Sequence, residues 1–237
     1  MGRDSTFVTD RQFYFISGLP RTGTTALCAV LSQNPDIYAG PNSPVCQLMW
    51  DTHTSCLTTA REELLSSRRG DFRDELVGGI PHSFYRSVPE RIIVDRCKAW
   101  MMPPNVDMIR RYITPDPKVI VMTRPVEEIV ASLKEINRRN GRFLSDDEIL
   151  TSPDQPLMRP LAGLEWATEN NDGQYLFVEY DDLVDHPADT VAAIYEFCGW
   201  EPFVHDFGNI VCHHPEDDSV HGLDGLHEVR PVMARAS

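Results

Sequence analysis

Residues 12–25 read QFYFISGLPRTGTT, and this stretch decides the fold. Its first half is a short apolar run without charged residues, typical of a strand buried on both faces of a parallel sheet. A glycine turn follows, and from Gly23 apolar residues recur at helical spacing until Asn34-Pro35, where the proline ends the helix. The order strand, glycine turn, helix predicts the first unit of an α/β sheet.

The same alternation continues along the chain. Short apolar runs predict three more strands, and two amphipathic stretches predict further helices. The strands are expected at 91–95, 118–123 and 174–179, and the helices at 125–133 and 187–199. We therefore predict an α/β fold, a P-loop-like three-layer sandwich whose central parallel sheet is flanked by helices.

Two stretches lack this alternation. Residues 35–90 and 140–160 are rich in proline, serine, threonine, arginine and aspartate, and we interpret them as irregular insertions over one sheet edge. They are expected to shape a substrate pocket within a single domain spanning 1–237.

Composition excludes several classes of function. With 22 basic and 36 acidic residues the formal net charge is −14, which argues against a nucleic-acid partner. No apolar run approaches the ~18 residues of a membrane span. Six scattered cysteines without metal-site or disulfide spacing favour reduced thiols in a cytoplasmic protein that binds no metal.

The glycine turn has the features of an anion site. Gly18 and Gly23 have the spacing of a P-loop, whose backbone amides and helix N-terminus face one ligand. The lysine position of that motif holds Thr24, and the cation lies inside the turn at Arg21. Arginine can fork onto one phosphate or sulfonate group. Further donors are expected from the hydroxyls of Thr22, Thr24 and Thr25.

These residues resemble the sulfotransferases that use 3′-phosphoadenosine 5′-phosphosulfate (PAPS). The sequence LPRTGTT at 19–25 is similar to their 5′-phosphosulfate loop, in the arginine-bearing form of tyrosylprotein sulfotransferases. A second signature is an arginine at a strand end and a serine eight residues later, here Arg124 and Ser132. The resemblance implies that these two hold the 3′-phosphate of the donor. It also implies a 5′ site formed by Pro20, Arg21, Thr22, Gly23, Thr24 and Thr25.

Two further segments resemble the family. VEYDDL at 178–183 is similar to a strand-end segment whose tyrosine lies near the nucleotide, which implies a binding role for Tyr180. HGLDGLHEVR at 221–230 is similar to the glycine-containing loop that closes over the nucleotide. In that loop the resemblance implies binding by Leu226, His227 and Arg230.

The catalytic residues match the family only in part. Arg21 supplies one cation for the charge that develops on the leaving phosphate. The segment DRCK at 95–98 resembles the stretch that carries a catalytic lysine, and Arg96 occupies the place of that lysine. Arginine keeps the charge but does not donate a proton.

The general base has no match to the family. Cys97 and Lys98 stand where cytosolic sulfotransferases have a histidine, and the stretch 39–44 lacks the glutamate of tyrosylprotein sulfotransferases. His53 is the first candidate because an imidazole has a suitable pKa. The alternatives are His82, Asp51 and Asp95. An acidic phenol as acceptor would need little base.

The sequence thus predicts an enzyme that transfers a sulfonate from PAPS to a hydroxyl or amine acceptor and releases adenosine 3′,5′-bisphosphate. The acceptor is a small molecule or a group on a polypeptide or saccharide. One alternative is a P-loop kinase or NTPase, which requires a lysine at position 24 and a magnesium-holding acid, for which Asp95 is the only good candidate. The other is a nucleotide-binding module that has lost its activity.

Overall fold

The computed structural model describes residues 11–151 and 157–229, and one parallel sheet forms its centre. The strands are β1 (Gln12–Gly18), β2 (Ile37–Asn42), β3 (Ile92–Arg96), β4 (Val119–Thr123) and β5 (Tyr175–Glu179). Their order across the sheet is β2-β3-β1-β4-β5, and every neighbouring pair is parallel. The strand before the glycine turn is therefore the central one.

Helices connect the strands and cover both faces of the sheet. They are α1 (Thr24–Leu31), α2 (Val45–Leu57), α3 (Arg61–Ser66), α4 (Phe72–Phe84), α5 (Pro103–Tyr112), α6 (Val126–Arg139), α7 (Asp146–Thr151), α8 (Met158–Glu169), α9 (Tyr180–Asp185) and α10 (Pro187–Cys198). A 3₁₀ turn, Asp218–His221, follows near the carboxyl-terminal end of the described residues.

The side chains of β1 alternate between two apolar layers, as the period of a strand requires. Phe13 and Phe15 pack into one layer with residues of α2, α4, α5 and α8. Ile16 packs on the opposite face with residues of α1 and α10. The predicted three-layer α/β sandwich is confirmed.

The expectation that residues 35–90 are irregular is wrong. This stretch contains β2 and three helices. Gly40 and Pro41 lie inside β2 and made it look like a loop, but β2 is an edge strand, where proline is tolerated. Gly78 and Pro81 similarly disguise α4. A Cβ at Gly78 would come within 2.9 Å of the Tyr112 carbonyl oxygen, so glycine there lets α4 approach α5 closely.

The stretch 140–160 is also more regular than expected, because it contains α7 and the start of α8. Ser145 and Glu148 form a capping box at the first turn of α7. The Glu148 carboxylate accepts from the Ser145 amide at 2.7 Å, and the Ser145 hydroxyl accepts from the Glu148 amide at 3.2 Å. A capping box is a helix-start signal, so this helix was visible in the sequence.

Parallel strands bring their carboxyl ends to one edge of the sheet. Ile16 is in register with Arg96, Gly18 with Met122, and Thr123 with Glu179. The glycine turn, Arg96, Arg124 and Tyr180 all follow or end these strands and therefore converge at the same edge. Among the described residues, no helix is long and apolar enough to cross a membrane.

Candidate active site

The glycine turn requires glycine at two positions. Gly18 has a φ of +145° and Gly23 a φ of +86°. A Cβ at Gly18 would lie 2.6 Å from the Met122 carbonyl oxygen, and one at Gly23 would lie 2.5 Å from the Tyr180 ring. Larger residues would therefore push the turn away from β4 and Tyr180.

Thr22 has a structural role in this turn. Its side chain is fully buried, and its hydroxyl donates to the Leu19 carbonyl oxygen at 2.8 Å. This hydroxyl is therefore used inside the turn, and Thr22 does not line the adjoining cavity. Thr24 and Thr25 line the adjoining cavity, as do Pro20, Arg21 and Gly23.

That cavity has a volume of about 900 Å³ and lies over the carboxyl edge of the sheet. Its walls come from the glycine turn, the ends of β2 and β3, one side of α6 and the segment that follows the 3₁₀ turn. It is large enough for a nucleotide-sized ligand.

Arg21 and Ser132 meet in this cavity. Arg21 is a non-glycine residue with a positive φ, 67°, and its Nε donates to the Ser132 hydroxyl at 3.0 Å. Its Nη1 donates to the Leu226 carbonyl oxygen. The turn is thereby connected both to α6 and to the carboxyl-terminal segment.

Arg124 also contacts the turn. Its Nη1 donates to the Arg21 carbonyl oxygen at 3.2 Å, and its Nε donates to Glu128 at 2.9 Å. The guanidinium carbon lies 4.3 Å from the centre of the Tyr180 ring, which is a cation–π contact. Arg21, the Arg124–Ser132 segment and Tyr180 are far apart in the sequence, yet the structure brings them together.

Arg96 lies at the end of β3, with only 2% of its surface exposed. Its Nη1 donates to the Thr25 hydroxyl at 2.7 Å, and its guanidinium pairs with Glu216. Lys98 lines the same cavity, and burial lowers its pKa, with a further contribution from Arg96. Three cations, Arg21, Arg96 and Lys98, therefore line the cavity.

Three of the four candidate bases named from the sequence lie away from the cavity. His53 lies on α2, where its Nδ1 is 2.7 Å from the Tyr112 hydroxyl oxygen, and it does not line the cavity. His82 packs edge-on against Phe13, with ring centres 5.1 Å apart. Asp51 accepts from Gln47 on the exposed side of α2. The structure brings none of them to Arg21.

Asp95 is a buried structural carboxylate. It accepts hydrogen bonds at 2.6 Å each from the Ser43 hydroxyl, the Tyr85 hydroxyl and the Trp100 indole. Burial raises its pKa, whereas these three donors oppose the rise. Its oxygens are already satisfied, and it does not line the cavity, so it is not placed to hold magnesium for a nucleotide.

Residues 216–229, which we call the strap, form the remaining wall. The strap is anchored to the end of α6, because Asn140 accepts from the Asp224 amide at 2.8 Å and donates to its carbonyl oxygen at 3.2 Å. Leu226 and His227 line the cavity, whereas Arg230 lies outside the described residues. The Asn42 amide donates to Glu216 at 3.3 Å, joining the strap to the end of β2.

Glu216, Asp218 and Asn42 were missed by reasoning from the sequence. The only signal for the acids is the charged tract HHPEDD at 213–218, directly before the glycine-containing loop. Glu216, His221 and His227 bring one side-chain N or O atom each within 4.8 Å of one another. Glu216 is already paired with Arg96, and His227 with Asp218, so we assign no metal to this group.

A family model described as "Sulfotransferase family" matches residues 14–205, most of the chain. The chain belongs to the sulfotransferase family. The matched range includes the glycine turn, Arg96, Arg124, Ser132 and Tyr180, and it ends before the strap.

One curated relative and two solved structures are similar to this chain. The relative is a Caenorhabditis briggsae protein named "Putative protein-tyrosine sulfotransferase", 24% identical over 78% of this chain. The chain spans 65% of the length of that relative.

Both structures have the same fold. The sulfotransferase domain of the Synechococcus PCC 7002 olefin synthase has a TM-score of 0.59 at 16% identity, covering 95% of this chain and 86% of that one. A sulfotransferase from Alicyclobacillus acidocaldarius has a TM-score of 0.54 at 19% identity, covering 90% and 89%.

Proposed function

We propose that this sulfotransferase takes the sulfonate from PAPS and transfers it to a hydroxyl or amine acceptor, releasing adenosine 3′,5′-bisphosphate. The observation that carries the proposal is the meeting of three arginines and two hydroxyl side chains in one cavity. Arg96 donates to the Thr25 hydroxyl, and Arg124 donates to the Arg21 carbonyl oxygen. Arg21 in turn donates to the Ser132 hydroxyl.

The residues present suit a ligand with an anionic group at each end. The turn supplies amides of the first turn of α1, the hydroxyls of Thr24 and Thr25, and the Arg21 guanidinium, which together favour a 5′-phosphosulfate. Arg124 and Ser132 add a second cation and hydroxyl, which favour a 3′-phosphate. Glycine at positions 18 and 23 keeps the backbone of the turn close to β4 and Tyr180.

Nucleoside triphosphate chemistry fits these residues less well. Position 24 lacks the lysine that bridges the β- and γ-phosphates, and Asp95 is enclosed by three hydrogen-bond donors. For these reasons we do not favour the kinase alternative.

When bound, PAPS supplies a sulfonate activated by its bond to phosphate. Arg21 and Arg96 both line the cavity, where we expect them to stabilise negative charge on the departing phosphate. We expect Arg124 and Ser132 to hold the 3′-phosphate and so to orient the sulfonate. Tyr180 keeps the Arg124 guanidinium in place by stacking under it.

Calorimetry distinguishes the candidate nucleotides. We expect adenosine 3′,5′-bisphosphate to bind without magnesium and Arg21→Ala to weaken that binding strongly. Arg110→Ala is the matched control, because this exposed arginine of α5 pairs with Asp107 at 3.6 Å and does not line the cavity. Binding of magnesium-ATP alone would refute the proposal.

Incubation with radiolabelled PAPS tests the transfer itself. The acceptor panel contains phenols, tyrosine-containing peptides, alcohols, sugars and amines, since the curated relative is named for protein tyrosine. Labelled product with any of them supports the proposal. Bisphosphate binding without turnover of any acceptor would instead identify a module that has lost its activity.

A further inference from the structure

The strap contacts two of the arginines that line the cavity. Arg21 donates to the Leu226 carbonyl oxygen, and Arg96 pairs with the Glu216 carboxylate. His227 is bonded to Leu226 in the chain, and its Nε2 is 3.4 Å from a Glu216 oxygen. The imidazole of His227 therefore lies beside the carboxylate that pairs with Arg96, on the wall of the cavity.

Asp218 fixes the orientation of this imidazole. One Asp218 oxygen is 2.6 Å from Nδ1 of His227, and the other accepts from the His227 backbone amide at 3.1 Å. An Nδ1–H that donates to a carboxylate leaves Nε2 without a proton in the neutral ring. Nε2 is thus the atom of His227 that can accept a proton.

We propose that His227, oriented by Asp218, is the general base that removes the proton from the acceptor. This inference rests on the proposed function, because it concerns the acceptor of the same transfer. It assigns the role that His53 does not fill, and it uses residues beyond the range that the family model matches.

The charges around His227 suit this role. Among residues 11–151 and 157–229, the titratable or charged groups that face it are Asp218, Glu216, His221 and Arg96. Burial lowers the pKa of His227 from its usual 6.5, Arg96 and His221 lower it further, and Asp218 opposes the change. The net direction is downward, which favours the neutral imidazole that a general base requires.

The proton and the bonds balance as follows. Nε2 of His227 takes the proton of the acceptor O–H or N–H, and the acceptor atom uses the freed electron pair to bond to sulfur. The bond between sulfur and the 5′-phosphate oxygen breaks, and adenosine 3′,5′-bisphosphate leaves with that electron pair. Asp218 stabilises the imidazolium until its proton passes to water.

The first test uses kinetics and chemical rescue. We expect His227→Ala to lower kcat about 100- to 10,000-fold, the range of a lost general base. Added imidazole should restore part of the rate. The loss should be largest for weakly acidic alcohols and smallest for acidic nitrophenols, which need little base. The matched control is His186→Gln, which replaces an exposed histidine that follows α9.

The second test observes the imidazole directly, by NMR titration of the histidine ring nitrogens in the full-length protein. His227 should titrate below 6.5, and Asp218→Asn should lower its pKa further, because a group that raises that pKa is lost. The acidic limb of the pH profile of kcat should move in the same direction. Activity should rise with pH through this limb, since the base acts when deprotonated.

Several outcomes would overturn the assignment. One is that His227→Ala leaves kcat unchanged. Another is that imidazole does not rescue His227→Ala and that its affinity for adenosine 3′,5′-bisphosphate falls by as large a factor as kcat. A third is a pH limb that moves with Lys98→Met and not with Asp218→Asn. A fourth is activity that chelation abolishes and Zn²⁺ restores. If the wild-type protein transfers no sulfonate, the proposed function fails; if His227→Ala transfers as well as wild type, only the base assignment fails.

Discussion

Tyr180 acts on the turn and on the second phosphate site at once. Its ring lies against Gly23 and under the Arg124 guanidinium. The Tyr180 ring therefore limits how closely the glycine turn packs, and it also positions the Arg124 guanidinium, which follows β4. Single-residue changes at these contacts separate the structural role of the site from its binding role.

Arg124→Ala tests the 3′-phosphate assignment. The affinity for adenosine 3′,5′-bisphosphate should fall about 10- to 100-fold, because a charged hydrogen-bonded partner of the phosphate is lost. The affinity for adenosine 5′-monophosphate, which lacks the 3′-phosphate, should hardly change. Calorimetry with both nucleotides measures this, and equal losses for the two would refute the assignment.

Gly23→Ala tests the close packing of the turn. Gly173 has a similar φ, +93° against +86°, but a Cβ there meets no atom within 4 Å. Both alanine variants should lose about 1–2 kcal/mol of unfolding free energy to the left-handed backbone. Gly23→Ala should lose about 1–3 kcal/mol more because of contact with Tyr180. Urea unfolding compares them, and equal losses would contradict the close packing.

At the scale of elements, the strap shows what reasoning from the sequence could and could not find. The glycine turn, and the strand end that carries Arg124 with its helix, were predictable because each is local in sequence. Glu216 and Asp218 were not, because irregular sequence has no periodicity to place it in space. β2 was missed for another reason: its glycine and proline are tolerated only because it lies at the sheet edge.

Asn140→Ala tests the anchoring of the strap. Asn140 caps α6 through the Ile136 carbonyl oxygen and also holds both backbone groups of Asp224. Asn170 caps α8 in the same way through Trp166 but holds no strap residue. Hydrogen exchange of residues 216–229 should accelerate in Asn140→Ala and not in Asn170→Ala. Equal protection in both variants would show that this anchor is dispensable.

At the scale of the whole molecule, the burial of histidines affects how the free energy of unfolding changes with pH. Burial lowers the pKa of four histidines from the usual 6.5. These are His53, His82, His205 and His227. The unfolded chain therefore binds protons at a higher pH than the native protein does. Their contribution to stability is complete above 6.5 and is lost as the pH falls through 6.5 towards the lower native values.

We accordingly expect the free energy of unfolding to be smaller at about pH 5.5 than at about pH 7.5. His205→Gln should reduce this difference, because one of the four titrating groups is removed. Urea unfolding at the two pH values checks this, and stability that is constant or greater at the lower pH would contradict it.

The contacts between the strap and the cavity arginines also have a kinetic consequence. An anion that reaches Arg21 and Arg96 has to exchange with the Leu226 carbonyl and the Glu216 carboxylate. The observed association rate should therefore rise with ligand concentration and then level off at the rate at which the strap detaches. Stopped-flow mixing would show the plateau, and Glu216→Gln should raise it. A rate that rises linearly throughout would mean that ligand enters without displacing the strap.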